Sequence, residues 1–363
     1  MTGEGRPERK LPTPRPDLDK LEPYRSSEVR GGRIFLHANE NPYPPPDEVI
    51  QEIFEAAAKI ELNRYPDPQA IELIAEISDY AEVEPGWVWI GDGSNEVLLQ
   101  ACLAYGGPGR TAMLFDPTYV MHQRQARMAG MDVVSVRRSD DFTIDIDKAI
   151  SEIAAVRPAI VFVCTPNNPT GTVTAIGDVR RIAEATDGLV VVDEAYYEFV
   201  GQTMVPELVD LPNVLVARTL SKAFRLASVR LGYGIGTPEL LEQLRRVRMP
   251  YAQSAFTLLA ATIAMRRRDK MLPIVDQIVA ERDRLAAVLA TVPRVDVFGS
   301  GANFVLFRHP EAAWLVRELG ERGIVIRDFT HLPGCENCLR VTAGLPEEND
   351  SFLEVVTTMV SRS

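Results

Sequence analysis

The sequence predicts an α/β fold that contains a mostly parallel sheet flanked by helices. Three apolar, valine-rich runs of strand length lie at 160–164, 188–192 and 214–217, and each ends in a polar cluster. Helical patterns alternate with strand-like runs from Val88 onward, as in βαβ units. Because ligands bind outside the carboxyl ends of the strands in an open parallel sheet, the three polar clusters predict a shared pocket.

The elements before and within this sheet can be assigned in order along the chain. Residues 1–20 are rich in proline and charge, and we expect them to form a flexible arm. Helices are predicted at 47–60, with Asp47 as the N-cap, and at 68–81. The strands are predicted at 88–90, 111–115, 133–136, 160–164, 188–192, 214–217 and 231–236, and further helices at 96–105, 118–129, 146–154 and 238–248.

The last third of the chain changes character. A helical stretch at 256–292, interrupted near Pro273, carries the chain away from the sheet. The strands that follow are predicted at 295–298, 303–307, 324–326 and 339–342, and the helices at 311–322 and 347–362. This mixture predicts a smaller α+β domain. We expect a large domain at 45–265 and a small domain made of 21–44 together with 266–363.

Composition limits the classes of partner. The 363 residues are 46% hydrophobic and 25% charged, which is ordinary for a soluble globular protein. The net charge of −12 disfavours nucleic acid and anionic membrane as partners, because neither attracts an acidic surface. Apolar runs are too short for a membrane helix, and the N-terminus lacks the apolar segment of a secretory signal. We therefore expect a cytoplasmic protein.

The four cysteines do not indicate a disulfide framework in a chain of this length. Cys335 and Cys338 have the CxxC spacing of metal and redox sites. However, no second Cys or His pair at usable spacing accompanies them, and Cys338 leads into an apolar strand. We expect reduced cysteines and no metal site.

The polar clusters contain the groups that an aldehyde cofactor with a ring nitrogen and a phosphate would need. Lys222 can react with an aldehyde if burial and positive neighbours, such as Arg225 and Arg230, lower its pKa. Asp193 follows a buried strand, where an unpaired carboxylate is costly, and it would be satisfied by a protonated ring nitrogen. The Val-Val-Val-Asp-Glu run also resembles a Walker B strand, but the chain has no Gly-Lys pair for a phosphate loop.

A phosphate site is predicted where a strand leads into a helix. Gly93, Ser94 and Asn95 would offer backbone N–H groups and the positive end of the helix, and Ser221 and Arg230 would complete the cup. A dinucleotide fingerprint is the competing interpretation of these glycines. It is weak, because a glutamate stands at position 96, where the third glycine is required.

In their order and spacing, these motifs resemble the pyridoxal-phosphate aminotransferases of fold type I. The motifs are Asn-Asn-Pro-Thr-Gly at 167–171, Asp-Glu-Ala-Tyr at 193–196, and Ser-Lys-Ala-Phe at 221–224 followed by Arg230. The resemblance extends from about Leu21 to the end of the chain and is strongest to the histidinol-phosphate aminotransferase family. Further shared segments are 39–42, 63–68, 91–96, 117–119 and 337–342.

The resemblance implies pyridoxal 5′-phosphate as the cofactor and assigns roles around it. Lys222 would hold the cofactor covalently and, once displaced, carry a proton from the α-carbon of the substrate. Asn168 and Tyr196 would donate to the 3′ oxygen of the cofactor, and Tyr119 would stack on its ring. Tyr65 would reach the phosphate from the other subunit, which implies a homodimer with shared active sites.

The resemblance also implies the reaction and its substrate contacts. Arg340 would bind an α-carboxylate by bidentate pairing, Arg327 would lie near the phosphate end of the substrate, and Tyr24 and Asn39 would add further contacts. The implied reaction is ping-pong transamination between L-histidinol phosphate and 2-oxoglutarate, a step of histidine biosynthesis. Its partners are a small amino donor and a 2-oxo acid.

Departures from the family pattern leave the substrate open. The family often has glycine where this chain has Pro44, Arg225 and Ser228, and it commonly has asparagine where 252–254 read Ala-Gln-Ser. An aromatic amino acid aminotransferase is the leading alternative, and a decarboxylase of phosphorylated substrates is the third. A regulator built on the same fold would need a DNA-binding domain, for which 1–20 is too short.

Overall fold

The structure is a computed structural model that describes residues 12–21, 23 and 33–360. Its strands are β1 (Ile34–Phe35), β2 (Val88–Asp92), β3 (Thr111–Asp116), β4 (Asp132–Arg137), β5 (Ile160–Cys164), β6 (Leu189–Asp193), β7 (Val214–Thr219), β8 (Leu231–Ile235), β9 (Asp296–Val297), β10 (Phe304–Arg308), β11 (Ile324–Val325), β12 (Arg327–Asp328) and β13 (Cys338–Thr342).

Helices surround these strands. They are α1 (Asp47–Ala57), α2 (Ile71–Ala81), α3 (Gly93–Tyr105), α4 (Val120–Met128), α5 (Ile146–Val156), α6 (Ile176–Glu184), α7 (Pro238–Arg245), α8 (Ala255–Arg266), α9 (Arg268–Met271), α10 (Ile274–Leu289), α11 (Ala312–Glu321) and α12 (Pro346–Val360). Within the described part of the chain, no helix combines the length and apolarity needed to cross a lipid bilayer.

The main sheet has seven strands in the order β2-β8-β7-β6-β5-β3-β4. The strands from β3 to β7 pair in parallel, and only β8 runs antiparallel to its two neighbours, β2 and β7. The predicted, mostly parallel sheet is therefore confirmed. Because β8 is antiparallel, its first residue lies at the same edge of the sheet as the carboxyl end of β7.

Both faces of this sheet are covered. In β6, Val190 and Val192 belong to one apolar cluster, and Val191 belongs to the other. Helices α3 and α7 supply buried residues to the cluster of Val191, whereas α5 and α6 supply them to the other cluster. A strand buried on both faces needs apolar side chains at every position, which explains the unbroken valine run.

A second sheet is formed by the C-terminal third, with the antiparallel order β12-β13-β10-β9. The N-terminal β1 pairs in parallel with β11, with Ile34 opposite Ile324. This pairing joins the segment after residue 33 to the last third of the chain. The division into domains at 45–265 and at 21–44 with 266–363 stays a prediction.

Several local expectations need correction. Asp47 is not the N-cap of α1, because Pro46 occupies that position and Asp47 is already helical. The helix ends at Ala57 rather than at residue 60. Helix α2 begins at Ile71 rather than at residue 68, because the carboxylate of Asp67 accepts hydrogen bonds from backbone N–H groups of the preceding turn and of Ile71. Of the predicted N-terminal arm, 1–11 lies outside the described residues, and Pro16–Lys20 forms a short 3₁₀ helix.

Gly232 in β8 permits a close backbone approach beside the predicted phosphate site. A Cβ atom at this position would lie 2.0 Å from the backbone nitrogen of Ser94, at the start of α3. No real side chain tolerates that separation, so the start of α3 can rest on β8 only if residue 232 is glycine. By contrast, a Cβ at Gly177 in α6 would have nothing within 4 Å.

We predict that Gly232→Ala destabilises the protein by about 1–3 kcal/mol, because the added methyl group forces β8 and the start of α3 apart. The measurement is the thermal unfolding midpoint of the purified protein. Gly177→Ala is the matched control and should leave the midpoint unchanged or raise it slightly. Equal midpoints for the two variants would contradict the close approach.

Candidate active site

A cavity of about 430 Å³ lies at the carboxyl ends of β5, β6 and β7. Most of the residues predicted from the sequence line it. They are Asn39, Ser94, Asn95, Tyr119, Asn168, Asp193, Tyr196, Ser221, Lys222, Arg230, Arg327 and Arg340. Gly93 and Tyr65 lie outside its lining, and Tyr24 falls outside the described residues. The sheet edge therefore brings together side chains that are up to about three hundred positions apart in the sequence.

Lys222 follows β7 and extends into the cavity, where its Nζ donates a hydrogen bond to the carbonyl oxygen of Ala38 at 3.1 Å. Burial, together with the positive charge of Arg340 and Arg230, lowers the pKa of Lys222 to about 8, whereas Glu40 opposes the shift. A fraction of the amine is therefore neutral near physiological pH. Neutral amines react with aldehydes, so Lys222 is suited to hold one covalently.

The prediction that Arg225 helps to lower the pKa of Lys222 is wrong. Its guanidinium donates to the carbonyl oxygens of Pro44, at 2.9 Å, and of Met271, at 2.8 Å, and it is not among the groups that shift the pKa of Lys222. Neither of these carbonyl groups lines the cavity, so the guanidinium group of Arg225 is held outside it. Arg340, more than a hundred residues further along the chain, supplies the positive charge instead.

Asp193 ends β6 and is almost completely buried. His122 Nε2 lies 2.9 Å from its Oδ2, and the backbone N–H of Ala195 donates to its Oδ1 at 3.2 Å. The imidazole of His122 stacks on Phe162, with ring centroids 4.8 Å apart, which fixes its orientation. The carboxylate is thus held in one position with an edge facing the cavity, where a cationic ring N–H would complete its hydrogen bonds.

The sequence analysis did not identify His122. A single histidine inside a helix carries no spacing signal, and only its position one turn after Tyr119 could have suggested a role. Atoms of His122, Cys164 and Asp193 that could bind a metal lie within 4.8 Å of one another. Burial raises the pKa of the Cys164 thiol, which stays protonated, and both carboxylate oxygens already accept hydrogen bonds. This trio therefore suits a hydrogen-bonded carboxylate better than a metal ion.

Asn168 and Tyr196 form one hydrogen-bonded chain with Arg340. Arg340 Nη1 donates to Asn168 Oδ1 at 2.5 Å, which leaves the amide nitrogen of Asn168 directed towards Tyr196 and the cavity. The Tyr196 hydroxyl accepts from Asn39 Nδ2 at 2.8 Å, so its own proton is available to a ligand oxygen. Burial raises the pKa of Tyr196, which keeps the hydroxyl protonated. Two donors are thereby aimed at one region of the cavity.

Asn39 is almost fully buried and occupies the left-handed region, with φ at +54°. Its backbone N–H donates to Thr342 Oγ1 at 3.0 Å, and its carbonyl oxygen accepts from Asn303 Nδ2 at 3.1 Å. Since its amide nitrogen is committed to Tyr196, we interpret Asn39 as a residue that positions Tyr196.

The predicted phosphate cup is formed by the start of α3 and the loop before β8. Helix α3 begins at Gly93, three residues earlier than expected, and it presents Ser94 and Asn95 to the cavity. Arg230 Nη1 lies 3.4 Å from Ser221 Oγ. A basic group, a hydroxyl and the positive end of a helix therefore converge, as anion sites require.

Gly93 contributes differently from the prediction. Its backbone N–H donates to the carbonyl oxygen of Arg230 at 3.0 Å, so it is not available to a phosphate. A Cβ at this position would lie 2.6 Å from Arg230 Nη2, and its φ is +68°. Glycine is required here because it admits the guanidinium group of Arg230.

Tyr119 lies between the cup and Asp193. Its hydroxyl donates to Asn95 Oδ1 at 3.3 Å, and its ring meets His122 edge to face at 5.5 Å. Tyr119 therefore presents an aromatic surface to the space beside the Asp193 carboxylate.

Arg327 and Arg340 lie directly opposite each other in the β12–β13 pair. Both approach the ring of Phe329, with guanidinium carbons 6.0 Å and 5.1 Å from its centroid. Arg340 Nη2 also donates to the carbonyl oxygen of His37 at 2.7 Å. Like charges at directly opposite positions repel each other, so an anion that both arginines share would be bound strongly.

Tyr65 is 79% exposed and stacks on Tyr251, with ring centroids 4.4 Å apart. It does not line the cavity of its own chain.

The positions that depart from the family pattern, Pro44, Arg225, Ser228 and 252–254, do not line the described cavity either. Gln253 instead donates to Glu96 Oε2 at 3.0 Å. These departures therefore lie outside the space that a ligand would occupy in the described cavity.

Pyridoxal phosphate fits this donor set. Lys222 has the lowered pKa that an aldehyde requires, and Asp193 has a carboxylate edge suited to a ring N–H. Asn168 and Tyr196 offer donors for the 3′ oxygen of the cofactor, and the cup of Ser94, Asn95, Ser221 and Arg230 suits a phosphate.

Comparisons with known proteins agree with the geometry. The family model described as aminotransferase class I and II matches residues 33–356. The chain is 41% identical to the histidinol-phosphate aminotransferase of Thermobifida fusca, over 96% of both proteins.

Two solved structures show the same fold. The histidinol-phosphate aminotransferase from Sinorhizobium meliloti, in complex with pyridoxal-5′-phosphate, has a TM-score of 0.87 at 24% identity and covers 97% of this chain and 99% of its own. The L-threonine-O-3-phosphate decarboxylase from Porphyromonas gingivalis has a TM-score of 0.79 at 20% identity and covers 91% of this chain and 100% of its own. The fold alone is thus compatible with more than one reaction.

The family model matches most of the chain, and a relative is 41% identical over nearly its whole length. The cavity also has the groups that pyridoxal phosphate needs. The chain therefore belongs to the aminotransferase class I and II family, as a pyridoxal-phosphate-dependent aminotransferase related to the histidinol-phosphate aminotransferases.

Proposed function

We propose that the protein moves an amino group between L-histidinol phosphate and 2-oxoglutarate, a step of histidine biosynthesis in the cytoplasm. The observation that carries the proposal is the pair of Arg327 and Arg340, which face each other across β12 and β13 at the wall of the Lys222 cavity. The identity to the Thermobifida fusca protein supports the same substrate.

The two arginines suit both substrates of a ping-pong reaction. L-Histidinol phosphate carries one phosphate, and 2-oxoglutarate carries two carboxylates. Each substrate can therefore present several anionic oxygen atoms to the wall that contains the two arginines. Arginine pairs with either group by two parallel hydrogen bonds. An aromatic amino acid carries only one carboxylate, so it would engage only one of the two guanidinium groups through an anion.

When bound, pyridoxal phosphate supplies an aldehyde that accepts the amino group and a ring that withdraws electrons from the α-carbon of the substrate. Asp193, oriented by His122, would hold a proton at the ring nitrogen. Asn168 and Tyr196 would donate to the 3′ oxygen of the cofactor, and Tyr119 would offer an aromatic face to its ring.

The remaining residues bind the phosphate and move the proton. The phosphate of the cofactor would be held through backbone N–H groups, a hydroxyl and a guanidinium, which Ser94, Asn95, Ser221 and Arg230 offer. Once an amino substrate has replaced it, Lys222 would be free to accept the proton of the substrate α-carbon and to release it again. Because its pKa is near 8, Lys222 can both accept and release this proton.

We further propose that the active form is a homodimer with shared sites. Large apolar residues are exposed on and beside α1 and α2: Leu62 is 92% exposed, Met249 69%, Phe54 64% and Ile71 62%. A concentration of exposed apolar side chains of this size is typical of an interaction surface. Tyr65 lies among them, and in a dimer it would reach the phosphate cup of the partner.

The first experiment is the half-reaction. We expect L-histidinol phosphate to bleach the absorbance band of the lysine-bound cofactor rapidly, with phenylalanine slower by about two orders of magnitude. Glutamate, the amino form of the other substrate, should also bleach the band. The reverse ranking of histidinol phosphate and phenylalanine would assign the protein to the aromatic aminotransferases. Release of carbon dioxide from a phosphorylated amino acid, without amino transfer, would assign a decarboxylase.

A second prediction concerns pH. Because the folded-state pKa of Lys222 lies near 8, below its ordinary 10.5, the neutral amine becomes more abundant as pH rises through 8. The rate at which cofactor-free protein captures pyridoxal phosphate should rise with pH and level off above a midpoint near 8. Stopped-flow absorbance measures this rate. A midpoint above 10 would contradict the effect of burial and of the two arginines.

The shared site can be tested with mixed dimers. Lys222→Ala and Tyr65→Ala subunits, co-expressed with different tags, should give a purified heterodimer with about half the activity of the native dimer, because one of its two sites is intact. Both variant homodimers are the controls and should show far lower activity. A heterodimer no more active than the homodimers would show that Tyr65 does not act across an interface.

A further inference from the structure

We propose that Cys335 and Cys338 form a reversible dithiol–disulfide pair that weakens the binding of acidic substrates when it is oxidised. The effect on substrates rests on the proposed function, whereas the disulfide chemistry does not. Cys335 lies in the turn between β12 and β13, and Cys338 is the first residue of β13, next to the cavity wall that contains Arg327 and Arg340.

The backbone of this turn brings the two cysteines within bonding range. The N–H of Cys338 donates to the carbonyl oxygen of Cys335 at 2.9 Å, and Asn337 between them has a φ of +61°. Such a turn holds its first and fourth Cα atoms within about 7 Å, which overlaps the range of about 4.4–6.8 Å found in disulfides. The two thiols, both free, are hydrogen-bonded to each other.

The surroundings of Cys338 favour a thiolate. The hydrogen bond from Cys335 lowers the pKa of Cys338, and the guanidinium of Arg308 acts in the same direction, whereas burial and Glu336 oppose the shift. Arg308 is itself fixed, since it donates to the carbonyl oxygens of Gly334 and Glu336 at 3.3 Å and 3.2 Å. Burial instead raises the pKa of the isolated Cys102 and Cys164. Reactive cysteines differ from inert ones in this way.

A polar cavity beside the turn offers a route for a small oxidant. Its volume is about 470 Å³, and its lining includes Gly334, Glu336 and Asn337 of the turn together with Arg137, Arg138 and Arg308. Cys335 and Cys338 are themselves fully buried and do not line this cavity. Their neighbours Gly334, Glu336 and Asn337 do, so a local opening of the turn would admit a molecule the size of hydrogen peroxide.

Phe329 links the pair to the substrate arginines. It packs against the apolar cluster that includes both cysteines, and its N–H donates to the carbonyl oxygen of Cys338 at 3.1 Å. Its ring also contacts the guanidinium groups of Arg340 and Arg327. Disulfide formation draws the sulfur atoms from hydrogen-bond distance to about 2.05 Å. We expect this closure to shift the turn and, with it, the position of Phe329.

The oxidation with a peroxide is balanced as follows. The Cys338 thiolate attacks one peroxide oxygen, the O–O bond breaks, and hydroxide leaves, which gives a sulfenic acid. The sulfur of Cys335 then attacks the Cys338 sulfur, the S–O bond breaks, and the departing hydroxide takes the Cys335 proton as water. The two sulfur atoms together lose two electrons, which reduce the peroxide to water. A dithiol reductant reverses the change by thiol–disulfide exchange.

The sequence makes the disulfide directly measurable. Trypsin cleaves after Arg327 and Arg340, and residues 328–340 contain both cysteines and no other Lys or Arg. After peroxide treatment of the holoenzyme and alkylation under denaturing conditions, this peptide should be unalkylated and lighter by two hydrogens. Dithiothreitol should restore double alkylation. A peptide that remains doubly alkylated, while free glutathione in the same sample is oxidised, would overturn the proposal.

Steady-state kinetics test whether the disulfide weakens the binding of acidic substrates. Oxidised holoenzyme should show at least about a threefold higher KM for 2-oxoglutarate, with kcat nearly unchanged, because the loss lies in binding. The Cys335→Ser/Cys338→Ser variant should be insensitive to peroxide, which also controls for oxidation of Cys102 and Cys164. Full disulfide formation with an unchanged KM would overturn the link to the arginines. Failure of histidinol phosphate as a donor, with the disulfide still formed, would affect the proposed function alone.

Discussion

Positive charge around Lys222 is the constraint on which the rest of the site depends. Arg230 approaches the amine from the phosphate cup, and Arg340 approaches it from the small sheet. The same two guanidinium groups that would bind the anionic groups of cofactor and substrate also lower the pKa of Lys222. Burial is the largest cause of the lowered pKa, and the two arginines add to it. Binding and reactivity are therefore linked, and neither arginine can be replaced without affecting both.

The fixed hydrogen-bond network explains how these groups keep their orientation. Asp193 is held by His122 and Ala195, Asn168 by Arg340, and Tyr196 by Asn39. Each functional group has one bond that sets its direction and one edge that faces the cavity. In a buried setting such bonds are costly to break, so the site is arranged before a ligand arrives.

The strands and the main site groups could be predicted because their signals are local. Apolar runs such as 160–164 can only be buried strands, and the polar residues that follow them must meet at one edge of the sheet. His122 could not be predicted, since its partner Asp193 is 71 residues away in the sequence. The part played by Gly93 depends on the guanidinium group of Arg230, and that of Arg225 depends on the distant carbonyl groups of Pro44 and Met271. Neither contact is evident from the spacing of residues in the sequence.

The contact between Asn39 and Thr342 spans 303 positions of the sequence. During synthesis the ribosome releases the N-terminal part of the chain long before Thr342 and Arg340 emerge. The lysine, the aspartate and the phosphate cup can be assembled earlier, because they all lie within the main sheet. The wall that recognises acidic substrates can close only when translation is nearly complete. A nascent chain could therefore acquire its cofactor-binding groups well before it could discriminate among substrates.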